Sequence, residues 1–132
     1  MRGKILFLSL LLVIFLSGCV SRKNSTAKFA EQQMNLAGVQ NVKIVKEGKE
    51  IEVDYSPTIV EYEDQIVAEW GAIFGVLSKT YPSAERYKIV QKIDGTTVAT
   101  IIANASDVKA YSEGKIGLYE LKNRIKLLGG DE

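Results

Sequence analysis

A long helix with an apolar centre constrains the fold of this chain more than any other stretch. Residues 58–61, Thr-Ile-Val-Glu, match a capping box, so the helix is expected to begin near Ile59. Pro82 disfavours helical geometry in the residue before it, which places the end of the helix at about Thr80. Residues 70–77 within the helix contain no polar side chain. A helix that is apolar on every side must be covered on every side, so this segment is expected at the centre of the core.

A first β-hairpin is predicted ahead of this helix. Residues 42–46 and 49–55 flank a Glu-Gly pair that suits a two-residue loop. With that loop, Ile44 lies opposite Ile51 on one face, and charged residues of opposite sign face each other on the other. Three acids alternate with apolar residues in the second strand. Because acids spaced along a strand lie well apart, a solvated row is favoured over a cation site.

A second hairpin is predicted after the helix. Residues 87–93 and 96–103 flank Asp94-Gly95, the strongest hairpin signal in the chain. Two-residue pairing puts Val98 and Ile102 on the same face of the hairpin as Tyr87, Ile89 and Ile93. We expect this face to be the packed one.

Three further helices complete the prediction. Ser25 is a suitable N-cap for a first helix, and Gly38 is suited to follow its last residues. A short helix is expected over residues 106–112, and an apolar stripe over residues 118–128 predicts a final helix that ends at Gly129. The elements predict an α+β fold of order α-ββ-α-ββ-α-α. Its sheet is expected to be four-stranded and antiparallel, with helices mainly on one face.

The N-terminal residues have the features of an export signal. Arg2 and Lys4 precede an apolar run at residues 5–16, shorter than the roughly 20 residues that cross a bilayer. The run closes with Leu16-Ser17-Gly18-Cys19, which resembles the lipobox of prokaryotic lipoprotein precursors. That resemblance implies a diacylglycerol on Cys19, cleavage before it, and attachment to the outer face of the cytoplasmic membrane or within the envelope. An uncleaved anchor and ordinary secretory cleavage are the alternatives.

This interpretation divides the chain into three parts. Residues 1–18 form a signal peptide, residues 19–25 the lipidated cysteine and a short linker, and residues 26–132 one α+β domain. Cleavage removes two of the 17 basic residues and leaves them nearly balanced against 16 acidic ones. A near-neutral domain gives no support for nucleic-acid binding, which normally needs a clustered basic surface.

Composition removes most familiar catalytic sites. The chain has no histidine, and Cys19 is its only cysteine, so a Ser/His/Asp triad, a Cys/His pair and the usual zinc sites are excluded. Phosphate-binding and dinucleotide-binding glycine motifs are absent, and no cofactor or metal is predicted. A carboxylate-dependent hydrolase remains as an alternative. Its candidate acids are Glu61, Glu63, Asp64 and Glu69.

Two sequons add candidate modification sites. Asn24-Ser25-Thr26 and Asn104-Ala105-Ser106 fit the N-glycosylation pattern. Occupancy of Asn24 and Asn104 depends on the source organism.

The favoured function is that of a non-catalytic, lipid-anchored binding or accessory protein with an unidentified protein or small-molecule partner. A structural module that self-associates through the helix around Trp70 is the other alternative. Gly71 and Gly75 lie four residues apart and so share a helix face, which permits close approach of another backbone. In a soluble domain such glycines more often mark tight packing within the chain, and a second copy is the alternative. A monomer is favoured because the first and last helices have apolar stripes that otherwise lack partners.

Overall fold

A single mixed sheet with helices on one face organises the domain. The computed structural model describes residues 22–57 and 63–129. In chain order the described elements are α1 (Arg22–Leu36), β1 (Val42–Lys46), β2 (Glu50–Tyr55), α2 (Glu63–Thr80), β3 (Arg86–Ile93), β4 (Thr96–Asn104), α3 (Ala105–Ser112), α4 (Leu118–Arg124) and β5 (Lys126–Gly129). The α+β class is as predicted.

The strands lie in sequence order, β1-β2-β3-β4-β5, but they are not all antiparallel. β2 and β3 pair in parallel, with Glu50 opposite Arg86 at their first residues, while the other three pairs are antiparallel. The prediction of a four-stranded antiparallel sheet is therefore wrong. The 18-residue helix α2 spans about 27 Å, enough to return the chain along the whole of β2. The next strand starts at the same end of the sheet and must run parallel.

The fifth strand replaces the end of the predicted final helix. α4 ends at Arg124, and Ile125 has an extended backbone (φ −76°, ψ 156°). The next residues then pair with β4, with Leu127 opposite Ile101. Pairing satisfies backbone groups along the edge of β4, which a continued helix would leave open. The free energy gained by this long-range pairing outweighs the local preference of the apolar stripe for a helix to residue 128.

A bulge in the second hairpin corrects its predicted faces. The loop is Asp94-Gly95 as predicted, and both residues have positive φ (52° and 79°), as a type I′ turn requires. Lys92 pairs with Thr97 but Gln91 pairs with Ala99, so Val98 is an extra residue in β4 and the register shifts there. One extra residue exchanges the two faces of the rest of the strand. Ile101 is consequently buried, whereas Val98 is exposed and Ile102 is only half-buried, so their predicted placement on the packed face is wrong.

The first hairpin also differs in register. Ile44 pairs with Val53 rather than with Ile51, a shift of two residues. The connection between Lys46 and Glu50 is longer than the predicted two-residue loop, and the ladder is irregular between Ile44 and Lys46. Because a shift of two preserves the side on which each residue lies, Ile44, Ile51 and Val53 are all buried as expected.

Helix α1 ends as predicted but begins earlier. Gly38 has φ +96° and is the left-handed residue of a Schellman motif. In this motif Val39 N–H donates to Met34 C=O (2.9 Å) and Gly38 N–H donates to Asn35 C=O (3.1 Å). The helix starts at Arg22, three residues ahead of the predicted cap, so residues 22–24 of the predicted linker are helical. Arginine and lysine are good helix formers, and the stretch has no glycine or proline to stop it.

Helix α2 lies at the centre of the core. It ends at Thr80 as predicted, while its expected start near Ile59 lies outside the described residues. It contacts β3 on the sheet side and α1, α3 and α4 on the other. Its buried residues are Val67, Trp70, Gly71, Ile73, Phe74 and Leu77. The apolar stretch at residues 70–77 is thus covered mainly by the chain itself, as its pattern predicts.

Candidate functional site

The sheet face turned away from the helices carries rows of opposite charge. The parallel register of β2 and β3 places the acids of one strand beside the bases of the other. The pairs are Glu50–Arg86 (2.6 Å), Glu52–Lys88 (3.6 Å) and Asp54–Lys92 (2.9 Å). The hydrogen bond from Arg86 lowers the pKa of Glu50. The acidic row predicted from the sequence is therefore paired with cations along a partly solvated surface.

The acids at the start of α2 do not converge. Glu63 is exposed and forms an ion pair with Lys122 of α4 (3.1 Å). Asp64 is exposed, and Glu61 lies outside the described residues. General acid–base catalysis needs two acids directed at one cleft, and the described residues do not bring Glu63 or Asp64 to one.

Glu69, the fourth candidate acid, ties the helix to the sheet. Its carboxylate accepts a hydrogen bond from the phenol of Tyr55, a buried residue at the end of β2. Burial and this contact raise the pKa of Tyr55. The adjacent Trp70 donates from Nε1 to Oε1 of the buried Gln91 on β3 (3.0 Å). Glu69 therefore has a structural partner, and consecutive helix residues hold consecutive strands of the sheet.

The outer face of α2 is closely packed around Gly71. A Cβ at this position would lie 2.8 Å from Leu118 Cδ1 and 2.9 Å from the Tyr111 hydroxyl. Helices α3 and α4 therefore approach here because the residue has no side chain. The predicted close contact at Gly71 is made within the chain.

One turn further along, the same helix borders an open groove of about 410 Å³ between α1 and α2. A Cβ at Gly75 would meet no atom of the described residues within 4 Å. Phe29 forms part of the opposite wall and is 56% exposed. The residues that line the groove are Phe29, Gln33, Ala72, Gly75, Val76, Lys79 and Thr80. This groove, named the α1–α2 groove below, is the incompletely covered part of the apolar stretch.

The charges around the α1–α2 groove are unequal. Helix α1 contains Arg22, Lys23 and Lys28 and a single acid, Glu31. That acid faces the sheet edge, where one carboxylate oxygen accepts a hydrogen bond from the N–H of Ile44 (2.9 Å). Lys79 is the only charged residue among those described that line the groove. The groove thus combines an apolar floor with one cation, Lys79, in its lining.

The candidate modification sites fall at different places. Cys19 lies outside the described residues. Asn24 belongs to the first turns of α1. Asn104 is the exposed last residue of β4, immediately before α3, with an extended backbone. Asn24 and Asn104 therefore belong to different elements of the described structure.

Sequence reasoning missed the α1–α2 groove. The apolar stripe that docks α1 consists of Ala27, Ala30 and Met34, of which the last two are fully buried. Phe29 and Leu36 lie seven residues apart, on one side of that stripe. Large apolar residues beside the stripe of Ala27, Ala30 and Met34 were the available signal. Sequence alone did not show that the remaining helices would leave them exposed.

Comparison of the chain with family models, with curated proteins and with solved structures finds no match. In residues 22–57 and 63–129, no helix combines the length and the hydropathy needed to span a membrane.

Proposed function

We propose that this chain is a non-catalytic, lipid-anchored binding or accessory protein of the cell envelope. A diacylglycerol on Cys19 would hold it at the outer face of the cytoplasmic membrane or within the envelope. The observation that carries the proposal is the lipobox-like Leu16-Ser17-Gly18-Cys19, placed directly ahead of a domain with an extensive core of its own. Two long acyl chains give stable attachment, since each buried methylene contributes about 0.8 kcal/mol.

The start of the first helix supports a position close to the membrane for a domain anchored in this way. Helix α1 begins at Arg22, three residue steps after Cys19. Three extended residues span at most about 11 Å, so the first helix would start next to the lipid headgroups. The domain would work at the membrane surface rather than at the end of a long tether.

Two observations support a binding role rather than hydrolysis. Two of the candidate acids have structural partners within the domain. Glu63 forms an exposed ion pair with Lys122, and Glu69 accepts a hydrogen bond from Tyr55. The α1–α2 groove offers an apolar concave surface with few polar groups, which is typical of binding sites.

A monomer is the oligomeric state we propose. In the self-association alternative, a second copy packs closely on Gly71, but Tyr111 and Leu118 of the same chain already occupy that space. Of these two glycines, Gly75 is the one beside which the described residues leave space for another molecule.

Replacement of the cysteine tests the anchor. Cys19→Ala is expected to abolish lipid modification and to move the protein out of detergent-phase fractions. Ser17→Ala is the matched control, because it keeps a small residue at a position where the lipobox accepts one, and it should leave lipidation intact. Intact-mass analysis of the wild-type protein checks the modification directly. An unmodified Cys19 in a membrane-derived sample would overturn the proposal.

A further inference from the structure

We propose that the α1–α2 groove is the face with which the domain docks on an anionic membrane surface. Phe29 would enter the interfacial region, and Lys79 would meet lipid headgroups. This inference rests on the lipid anchoring proposed above and assigns a partner to the groove.

The position of the groove in the chain favours a membrane as its occupant. Phe29 lies seven residues after Arg22 in α1, which is about 10 Å along the helix. Arg22 in turn lies within about 11 Å of Cys19. The exposed aromatic ring is therefore held within about 20 Å of the point at which the acyl chains would enter the bilayer. An anchored domain can bring this face to the lipid without a long linker.

The charges favour an anionic surface. Helix α1 is the element nearest the proposed anchor, and it carries three cations against one acid. The acid, Glu31, accepts a hydrogen bond from the N–H of Ile44 on the sheet edge (2.9 Å), and beyond Thr80 Glu47 accepts one from the phenol of Tyr81 (2.8 Å), so both carboxylates are engaged within the domain. Lys79 adds a cation at the groove itself. Each basic residue near an anionic leaflet contributes to binding, and the effect falls off within a Debye length.

The apolar residues on this side of α1 have no role in the core. Ala30 and Met34 pack the helix on the domain and are fully buried, whereas Phe29 is 56% exposed and Leu36 is 81% exposed. Phe29 and Leu36 are two turns apart on one line of the helix. Large apolar side chains bordered by cations are the features with which interfacial helices meet the headgroup region. The helix thus packs on the domain with Ala30 and Met34 and leaves Phe29 and Leu36 outward.

Site-specific fluorescence tests the docking. If Cys19 is consumed by its lipid, Gln33→Cys in the full chain provides a single free thiol at the groove for an environment-sensitive fluorophore. Lys43→Cys is the matched control, because Lys43 is an exposed residue of β1 on the sheet face turned away from the helices. Each protein is reconstituted at low copy number in phosphatidylcholine vesicles with and without phosphatidylglycerol. We expect most of the acrylamide quenching at Gln33→Cys to be lost in the anionic vesicles only, with full quenching at Lys43→Cys.

Two variants test whether the groove residues themselves cause the protection. Phe29→Ser and Lys79→Glu alter exposed side chains, so both should fold, which the near-ultraviolet circular dichroism of buried Trp70 checks. Each is expected to restore quenching at Gln33→Cys. Unchanged protection in both variants would overturn the proposal.

The remaining outcomes are equally decisive. Equal quenching at the two labelled positions, or equal protection in neutral vesicles, would overturn docking on an anionic surface. Protection that rises with the number of protein copies per vesicle would place a second copy in the groove and overturn it as well. Intact-mass analysis of the same samples separates the two proposals. A lipidated Cys19 with a fully quenched groove label would refute docking alone. If Cys19 proves unlipidated, the label is placed in a Cys19→Ala chain, where protection of Gln33→Cys would refute the anchor alone.

Discussion

Gly71 and Gly75 belong to the same helix, four residues apart, yet they have different surroundings. At Gly71 a methyl group would collide with Tyr111 and Leu118, whereas at Gly75 it would meet no described atom within 4 Å. Both lie in a stretch without a polar side chain. The difference comes from the elements that cover the helix: α3 and α4 close its first half, while α1 closes its second half incompletely.

This contrast separates two reasons for an apolar residue to be present. In the packed half, apolar residues stabilise the fold, and Glu69 and Trp70 add hydrogen bonds to the sheet. In the open half, Ala72 and Val76 remain partly exposed and line the α1–α2 groove. Substitutions at the buried positions of α2, which include Phe74 and Leu77 in its second half, should therefore change stability, and those at the groove-lining positions should change binding.

The largest expected difference is between two phenylalanines. Phe74 is 1% exposed, so Phe74→Ala should lower the free energy of unfolding by about 3–5 kcal/mol, the range for a large aromatic lost from a core. Phe29 borders the groove and is 56% exposed, so Phe29→Ala should cost about 1 kcal/mol or less. Urea unfolding of both variants measures the two values. Similar losses would mean that Phe29 belongs to the core and that the groove is closed in solution.

Leucine substitutions at the two glycines should have opposite effects. Gly71→Leu must displace Tyr111 and Leu118, and overpacking of this kind costs about 1–3 kcal/mol. Gly75→Leu enters open space and replaces a poor helix former with a good one, so stability should rise by up to about 1 kcal/mol. Thermal unfolding checks both directions.

Gly75 is consequently the position at which a dimer contact is best tested. Sedimentation of the Gly75→Leu chain should match that of the wild type if the protein is a monomer.

The hydrogen bond at the packed half predicts a response to alkaline pH. Burial and Glu69 raise the pKa of Tyr55 above its ordinary value of 10.0, so the folded protein retains a proton that the unfolded chain loses. Stability from this residue is complete below pH 10 and declines as the pH rises above it. One unit above, the loss is at most about 1.4 kcal/mol. Tyr55→Phe should lose less stability than the wild type between pH 10 and 11, whereas equal losses would assign the alkaline effect to other groups.

Local signals in the sequence predicted the parts of the fold that local interactions determine. The Asp94-Gly95 turn requires positive φ, and Gly38 supplies the left-handed residue after α1, so both could be placed without knowledge of the rest of the chain. The parallel pairing of β2 with β3, the bulge at Val98 and the strand β5 depend on residues far apart in sequence. Short patterns contain no information on such pairings.

The candidate site follows the same division. The apolar stretch around Trp70 predicted a buried helix, which the structure confirms. Two glycines at a spacing of four predicted one continuous contact face, but the structure gives Gly71 and Gly75 different neighbours. Which half of a helix is covered depends on where the later elements pack, and Leu118 lies more than 40 residues further along the chain.

The smallest expected effect is that of Glu69→Gln. The amide oxygen can still accept the hydrogen bond from Tyr55, so only the charge of the acceptor is lost, and stability should fall by about 1 kcal/mol. Asp64→Asn is the matched control, because Asp64 is exposed on the same helix and its neutralisation should change stability less. If Glu69 serves the fold alone, membrane attachment and every biological readout should follow the measured stability. A loss of activity in a Glu69→Gln protein that remains folded and attached would instead show that the carboxylate takes part in chemistry, and would favour the hydrolase.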